Sequence, residues 1–138
     1  MTRSRRAPVD VTVAAALVQW KGRVLLVRRG EGRLMGRMWE VPQTSLESRG
    51  LPDLAGEMRD RHGLRVIPGE LAVRARHAIT FRRIRVEGYH ARLEGDVPRD
   101  PERYRWATPE EARSLAMSSL TRKVLRGLES AQKLLPFR

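Results

Sequence analysis

The chain has 138 residues, which suits one domain with its own core, and 28 Lys plus Arg against 16 Asp plus Glu give a formal net charge of +12. Because it contains no cysteine, the sequence excludes disulfides, thiolate metal sites and cysteine nucleophiles. The positive charge favours partners that carry phosphate groups. A GC-rich genome would also encode many arginines without any selection for such binding.

The N-terminus and the hydropathy of the chain predict its setting. No apolar run reaches the ~20 residues of a membrane span, and the opening MTRSRRAPVD lacks the apolar block of a signal peptide. We therefore expect a cytoplasmic protein with no membrane partner. Residues 1–8 predict a disordered basic arm, and residues 9–138 predict a single domain.

The first predicted element is a β-hairpin. Residues 9–27, VDVTVAAALVQWKGRVLLV, hold two apolar strand-like segments around a turn at Lys21-Gly22. A glycine-rich connection follows and ends in WEVP, a short strand-like piece that proline stops. Residues 51–62 then predict a helix, because two apolar residues lie four apart and Gly63 stands where a C-terminal cap belongs.

Strands are predicted for the next part of the chain. Residues 64–95 predict three strands, with breaks at Pro68-Gly69 and at Gly95. Residues 79–93 are long enough for one central or curved strand.

Two helices are predicted at the end of the chain. In YRWATPEEARSL, Thr108 is the N-cap, Pro109 takes the first helical position and Glu111 follows three residues after the cap, which is the capping-box arrangement. A last helix begins near Ser118 or Ser119, and its apolar stripe should dock on the sheet: Leu120, Val124, Leu125 and Leu128. The order of elements predicts an α+β fold with a mixed β-sheet sandwiched between α-helices.

An acidic face marks the first helix. Asp53, Glu57 and Asp60 are spaced i, i+4 and i+7, so two helical turns keep them on one side. Magnesium takes oxygen ligands and often only one or two protein carboxylates, so this side is a candidate cation site. The alternative is a solvated acidic face in which Glu57 pairs with Arg61. An inward Arg61 guanidinium would disfavour a cation, whereas an outward one would leave a site with one ligand fewer.

Arginines and an aromatic residue mark the strand region. The stretch FRRIRV places Arg82, Arg83 and Arg85 beside Phe81, a combination that suits base stacking and phosphate pairing. Exposed strand charges without a ligand are the alternative interpretation.

Taken in order, VLLVRR, GRMWEVP and an acidic helix ending in HGL resemble the Nudix superfamily, over about residues 9–128. The resemblance implies a Nudix fold and a site for Mg²⁺ or Mn²⁺. When the family's box ends at Gly63, Glu57 falls on its Glu after Arg, and Asp60 and Arg61 fall on its two paired acids.

The chain departs from the family's box at several positions. Gly56 replaces the box Arg, and Arg61 replaces an acid. Gln43-Thr44 replace the usual Gly-Gly after the proline, and a shorter loop leaves Glu47 as the match for the early Glu.

Within the superfamily, GRMWEVP, RHAITFRRIRV and SSLTRKVLRGL are most similar to the C-terminal domain of A/G-specific adenine glycosylases. In those proteins a Nudix-like fold without hydrolase activity helps to recognise 8-oxoguanine in DNA. At the family's Phe-Thr/Ser-His recognition position this chain has Ile79-Thr80-Phe81, which keeps the hydroxyl and loses the histidine. The sequence has no glycosylase domain and no cluster cysteines, so we expect a free-standing protein.

The resemblance leads to two hypotheses. In the first, the chain is a Nudix-type hydrolase that cleaves a nucleoside-diphosphate-linked substrate, including oxidised nucleotides, with Mg²⁺ or Mn²⁺. Glu57 and Asp60 hold the ion, Glu47 assists them, and Glu102 orients the attacking water. The arginines beside the glycine-rich loop neutralise the charge of the phosphates: Arg28 and Arg29.

In the second hypothesis, the chain is a non-catalytic Nudix-like module that binds a nucleotide, 8-oxoguanine or DNA through Thr80, Phe81, Arg82 and Arg83. The net positive charge and the altered box favour this module. The two retained acids of the box and a free-standing chain favour the hydrolase, which is the leading prediction. The predicted partners are a nucleotide or other phosphorylated small molecule, nucleic acid, and a second copy of the chain in a homodimer.

Overall fold

The structure is a computed structural model that describes residues 7–28, 37–47 and 50–133, with Lys133 described in its backbone only. Its elements in chain order are β1 (Val9–Trp20), β2 (Arg23–Val27), α1 (Leu54–His62), β3 (Val66–Ile79), β4 (Arg82–Leu93), β5 (Tyr104–Ala107), α2 (Pro109–Ser114) and α3 (Ser119–Lys133). Most of the predicted arm, residues 1–6, and the predicted substrate residue Arg29 lie outside the described residues.

The five strands form one mixed sheet in the order β3-β4-β1-β2-β5. β1 is parallel to β4, and the other neighbouring pairs are antiparallel. Alternate residues of β1 are buried on opposite faces of the sheet, one set with α3 and the other with α1. The α3 face receives Val13, Ala15 and Leu17, and the α1 face receives Ala14, Ala16 and Val18. A helix therefore covers each face, which confirms the predicted α+β sandwich.

A short piece of chain, which we call the wedge segment (residues 39–44), lies between β1 and β2. The two strands pair only beside their turn, where Gln19 faces Val24 and Trp20 faces Arg23. Further along, backbone groups of the wedge segment bond to both strands at 2.8 or 2.9 Å. Ala16 N–H donates to the Pro42 carbonyl, Thr44 N–H donates to the Ala14 carbonyl, and Val27 and Glu40 exchange two hydrogen bonds. The diverging strands thus keep partners for their buried backbone groups.

The predicted hairpin turn and the predicted C-terminal cap of the first helix are confirmed. Lys21 and Gly22 both have positive φ angles, 48° and 73°, as a two-residue hairpin turn requires. α1 begins at Leu54, three residues later than predicted, because the Asp53 carboxylate accepts a hydrogen bond from Gly56 N–H and caps the helix. The helix ends at Gly63, whose φ of 64° is the left-handed conformation of a C-terminal cap.

The two C-terminal helices are confirmed as well. Thr108 and Glu111 form the predicted capping box, and the hydrogen bond from the Thr108 backbone N–H lowers the pKa of the Glu111 carboxyl. Ser118 accepts a hydrogen bond from Thr121 N–H at the start of α3. The predicted stripe of α3 faces the sheet, with Leu120, Val124 and Leu128 buried and Leu125 partly buried.

The predicted division of residues 64–95 into three strands is wrong. β3 continues through the Pro-Gly break with two shifts of register against β4. This is possible because β3 is an edge strand, where the missing N–H of a proline can face the side that has no neighbouring strand. The predicted single strand 79–93 is divided, since the chain turns at Thr80 and Phe81 between β3 and β4. Thr80 has a φ of 50°, which is unusual for a β-branched residue. Because neither position of the turn is a glycine or an asparagine, the sequence did not predict a turn here.

Replacing Thr44 by valine should destabilise the fold through the wedge segment. The Thr44 side chain is 1% exposed, and its hydroxyl oxygen accepts a hydrogen bond from Ala14 N–H at 3.0 Å. Valine keeps the shape but leaves this buried N–H of β1 unpaired, so we expect a loss of about 1–3 kcal/mol in the free energy of unfolding. Urea unfolding measures it. Thr12→Val, also on β1, is the control, and equal losses for both variants would contradict the role of the hydroxyl.

Candidate functional site

The three acids at α1 do not converge. Asp53 caps the helix, as described above. Glu57 is half-buried, and its Oε1 accepts a hydrogen bond from Ser45 N–H at 2.8 Å, just beyond the wedge segment. Asp60 is exposed, and its carboxylate lies 3.5 Å from the Arg59 side chain in a solvated ion pair. The spacing predicted one shared face, but each carboxylate serves a different local contact.

Arg61 replaces the third acid of the Nudix pattern and is half-buried. Its Nε is shielded from solvent, so the inner part of the guanidinium faces the protein. Residues 57 and 61 are four apart and lie on one face of the helix. Arg in place of an acid changes the charge at this position by two units, which disfavours a metal ion beside Glu57.

The other two predicted acids lie in ion pairs with predicted substrate arginines. Glu47 accepts a hydrogen bond from Arg82 Nη2 at 2.7 Å. Arg28 donates two hydrogen bonds to Glu102, one to its carboxylate at 3.2 Å and one to its backbone carbonyl at 2.9 Å. The Arg28 guanidinium also lies 4.5 Å from the centre of the Trp39 ring, in a cation–π contact. Arg28 is therefore held over the wedge segment by three contacts.

These arrangements decide how well the donor set fits a divalent metal, which Nudix hydrolases generally use. Within residues 7–28, 37–47 and 50–133, no three His, Asp or Glu side chains lie close enough together to hold a metal ion. The predicted ligands Glu57, Asp60 and Glu47 each have another contact. Of the paired acids and the preceding Glu of the box, only Glu57 and Asp60 remain, so the described residues do not present the full set of carboxylates that the resemblance implies for Mg²⁺ or Mn²⁺.

Gly56, which replaces the box Arg, has a local explanation. A Cβ at this position would lie 2.2 Å from Asp53 Oδ2 and 2.8 Å from its Cγ. The folded-back carboxylate that caps α1 therefore occupies the space a side chain would need. The sequence predicted Asp53 as one acid of the candidate cation site, whereas in the structure its carboxylate caps α1.

The predicted recognition residues do come together, at the turn between β3 and β4. Thr80 and Phe81 form the turn, and the Phe81 side chain is 48% exposed. A groove of about 690 Å³ beside the turn is lined by Ile79, Thr80, Phe81 and Arg82, by Val9 to Thr12 of β1 and by Leu46 and Glu47. Glu47 and Arg82 both line this groove and form an ion pair. The turn and the residues that follow the wedge segment therefore share one surface.

Two further residues join these elements and were not singled out from the sequence. His62, 3% exposed at the end of α1, has its Nε2 3.3 Å from the Gln43 carbonyl oxygen of the wedge segment. The Tyr104 hydroxyl of β5 donates to the His62 carbonyl. Nothing in the local pattern signals these contacts, because their partners are 19 and 42 residues apart in sequence.

The comparisons with known proteins agree with this architecture. A family model described as NUDIX domain matches residues 13–127, and the chain therefore belongs to the Nudix family. Rat (Rattus norvegicus) adenine DNA glycosylase is 28% identical over 145 residues, a match that covers 94% of this chain and 27% of that protein. The chain thus spans about a quarter of the length of the curated relative it matches.

Two solved structures illustrate the likeness. The MutT protein from Methanosarcina mazei Go1 superposes with a TM-score of 0.71 at 20% identity, covering 94% of this chain and 99% of that one. The C-terminal domain of mouse MUTYH, solved in complex with human PCNA, superposes with a TM-score of 0.61 at 26% identity, covering 92% of each chain. The predicted Nudix fold is confirmed. Separately, no helix in the described part of the chain has both the length and the apolar composition that crossing a membrane requires.

Changing Arg61 to glutamate tests the metal fit directly. We expect Mn²⁺ to leave the thermal unfolding midpoint of the unmodified protein unchanged. In Arg61→Glu the charge beside Glu57 changes by two units and a third box acid returns, so Mn²⁺ should raise the midpoint. Differential scanning fluorimetry measures both, with Arg59→Glu, which adds an acid on the exposed side, as the matched control. A Mn²⁺ response in the unmodified protein would contradict the argument.

Proposed function

We propose that the chain is a binding module of the Nudix family. Its partner is DNA that contains an oxidised guanine, and it binds this DNA through the turn between β3 and β4. The observation that carries the proposal is the contrast between two sites. The acids of α1 are engaged in capping, backbone and ion-pair contacts, whereas the arginine-flanked turn presents a half-exposed aromatic ring beside a groove.

The backbone of the turn supports a recognition role. Thr80 holds a φ of 50°, and a β-branched residue in this region carries strain of order 1–3 kcal/mol. Such strain persists where the surroundings hold it, and here the Val9 N–H donates to the Phe81 carbonyl at 2.7 Å. The turn is thus bonded to β1, and both Thr80 and Phe81 are exposed.

The side chains of the turn suit a nucleic acid. An exposed aromatic ring can stack on a base, which is worth about 1–3 kcal/mol per base. Arg82 and Arg83 follow Phe81 directly, and ion pairs to Glu47 and Asp10 hold them in place. Guanidinium groups that are held in this way can pair with phosphate oxygens at lower entropic cost.

The likeness to adenine DNA glycosylases supports the same class of partner. The rat glycosylase and the mouse MUTYH C-terminal domain match at 28% and 26% identity, the latter over 92% of this chain. Since the chain matches only 27% of the glycosylase, excision of a base is no part of the proposal. Binding of a free nucleotide through the same turn would use the same contacts.

Diphosphate hydrolysis is the second candidate function. Membership of the Nudix family favours it, as does the half-buried Glu57 beside the wedge segment. The substrate would be a nucleoside-diphosphate-linked compound, with Asp60 and Glu47 as further metal ligands and Glu102 as the residue that orients water. The contacts that now hold these carboxylates would have to open first.

Binding to labelled duplex DNA, with and without one 8-oxoguanine, tests the first proposal by fluorescence anisotropy. We expect affinity to fall steeply as salt rises from about 50 to 200 mM, because phosphate contacts release counterions. Phe81→Ala should weaken binding about tenfold, the equivalent of one lost stacking contact. Arg92→Ala, an exposed arginine at the other end of β4, is the control and should change little. The proposal fails if the protein shows no salt-sensitive binding to either duplex.

A phosphate-release assay separates the second candidate. The substrates are nucleoside triphosphates, sugar nucleotides and dinucleoside polyphosphates, each with Mg²⁺ and with Mn²⁺. Since no three His, Asp or Glu side chains of the described residues lie close enough together to hold a metal ion, we expect no turnover above that of the Glu57→Gln variant. Turnover that Glu57→Gln abolishes would establish the hydrolase instead.

A further inference from the structure

Two arginines face each other across the β3/β4 ladder. Arg76 and Arg85 are direct cross-strand partners in this antiparallel pair, and both are exposed. Directly opposite residues have Cβ atoms about 4.5–5.5 Å apart, and like charges at such positions destabilise a sheet. Among the described residues, neither guanidinium has an acid in ion-pair contact.

The surrounding arginines make this pair stand out. On the same face of the sheet, Arg83 is bonded to the Asp10 carboxylate at 2.8 Å. Arg74, two residues before Arg76, lies opposite Glu87. These two neighbouring arginines thus each have an acid beside them, whereas Arg76 and Arg85 have an arginine as the opposite residue.

A third strand completes the surroundings of the pair. Thr12 of β1 is the ladder partner of Arg85 in the parallel β1/β4 pair, so its side chain lies on the same face. A groove of about 670 Å³ at this place is lined by Asp10, Thr12, Arg76, Arg83 and Arg85, among others. A hydroxyl and two guanidiniums offer several hydrogen-bond donors to one oxyanion.

We propose that Arg76, Arg85 and Thr12 form a phosphate subsite, in which one phosphate group bridges the two arginines across the strands. No ion pair among the described residues involves either arginine, and a phosphate carries the charge and the oxygens that both guanidiniums can bind. This inference rests on the proposed function and deepens it, because it assigns a place to a phosphate of the partner.

The position of the subsite favours a nucleic acid strand over a mononucleotide. Arg85 lies four positions after Phe81, roughly 13 Å along an extended chain at about 3.3 Å per residue. One strand of DNA advances about 3.4 Å per nucleotide, so a base stacked at Phe81 and a phosphate at Arg85 would be about four nucleotides apart. A nucleic acid strand can therefore reach both places at once.

The first experiment tests the subsite with inorganic phosphate, by thermal unfolding at low ionic strength. Without phosphate, Arg85→Gln or Arg76→Gln should raise the unfolding midpoint by about 1–4 °C, since either change removes the opposed charges. Phosphate, compared with chloride at equal ionic strength, should stabilise the unmodified protein more than either variant. Arg92→Gln, whose cross-strand partner is Ile67, is the control and should respond like the unmodified protein. Equal phosphate responses in all four proteins would overturn the subsite.

The second experiment uses duplex DNA and separates the subsite from the proposed function. Arg85→Gln should reduce the slope of log affinity against log salt by about one phosphate contact and leave any preference for 8-oxoguanine unchanged. DNA binding with an unaltered slope in Arg85→Gln would overturn the subsite and leave the proposed function standing. A specific phosphate response in a protein that does not bind DNA would support the subsite and end the proposed function.

Discussion

The structure depends on backbone hydrogen bonding between the wedge segment and the two strands it separates. β1 is buried on both faces, so its N–H and C=O groups need partners along its whole buried length. β2 supplies them only beside the turn, and residues 39–44 supply them beyond it. Without this segment, the hairpin could not open and still keep its buried backbone groups bonded.

Both helices hold the wedge segment through side chains. From α3, the Thr121 hydroxyl accepts a hydrogen bond from Val41 N–H. From α1, His62 contacts the Gln43 carbonyl and Glu57 accepts from Ser45 N–H. Glu57, which the Nudix pattern assigns to the metal, therefore also stabilises the fold by bonding the chain next to the wedge segment. This contact does not depend on the positions of the box that are altered in this chain.

The arginines divide by their partners in a similar way. Arg28, Arg82 and Arg83 are held by acids from other parts of the chain. Exposed pairs of this kind contribute only about 0–1 kcal/mol, so their main effect is to orient the guanidiniums. Arg76 and Arg85, in contrast, face each other, and a sheet that keeps such a pair gives up stability at a place where an anion would restore it.

The sequence by itself determined those features whose interactions lie within a few residues. The Lys21-Gly22 turn, the Gly63 cap, the Thr108 capping box and the apolar stripe of α3 were all predictable, because backbone preferences and helical spacing act locally. From the order of these elements and the box motif, the α+β sandwich and the Nudix family also followed.

Only the tertiary structure decided the site. Helical spacing placed the acids of α1 on one side, but the direction of each carboxylate depends on Ser45, Arg59 and the cap, and two of these partners compete with any metal. Arg76 lies opposite Arg85 because of the register of β3 and β4. The turn at Thr80, which the sequence did not predict, sets this register. Register and side-chain direction are outcomes of packing between distant segments, and a one-residue slip would send every strand side chain to the other face.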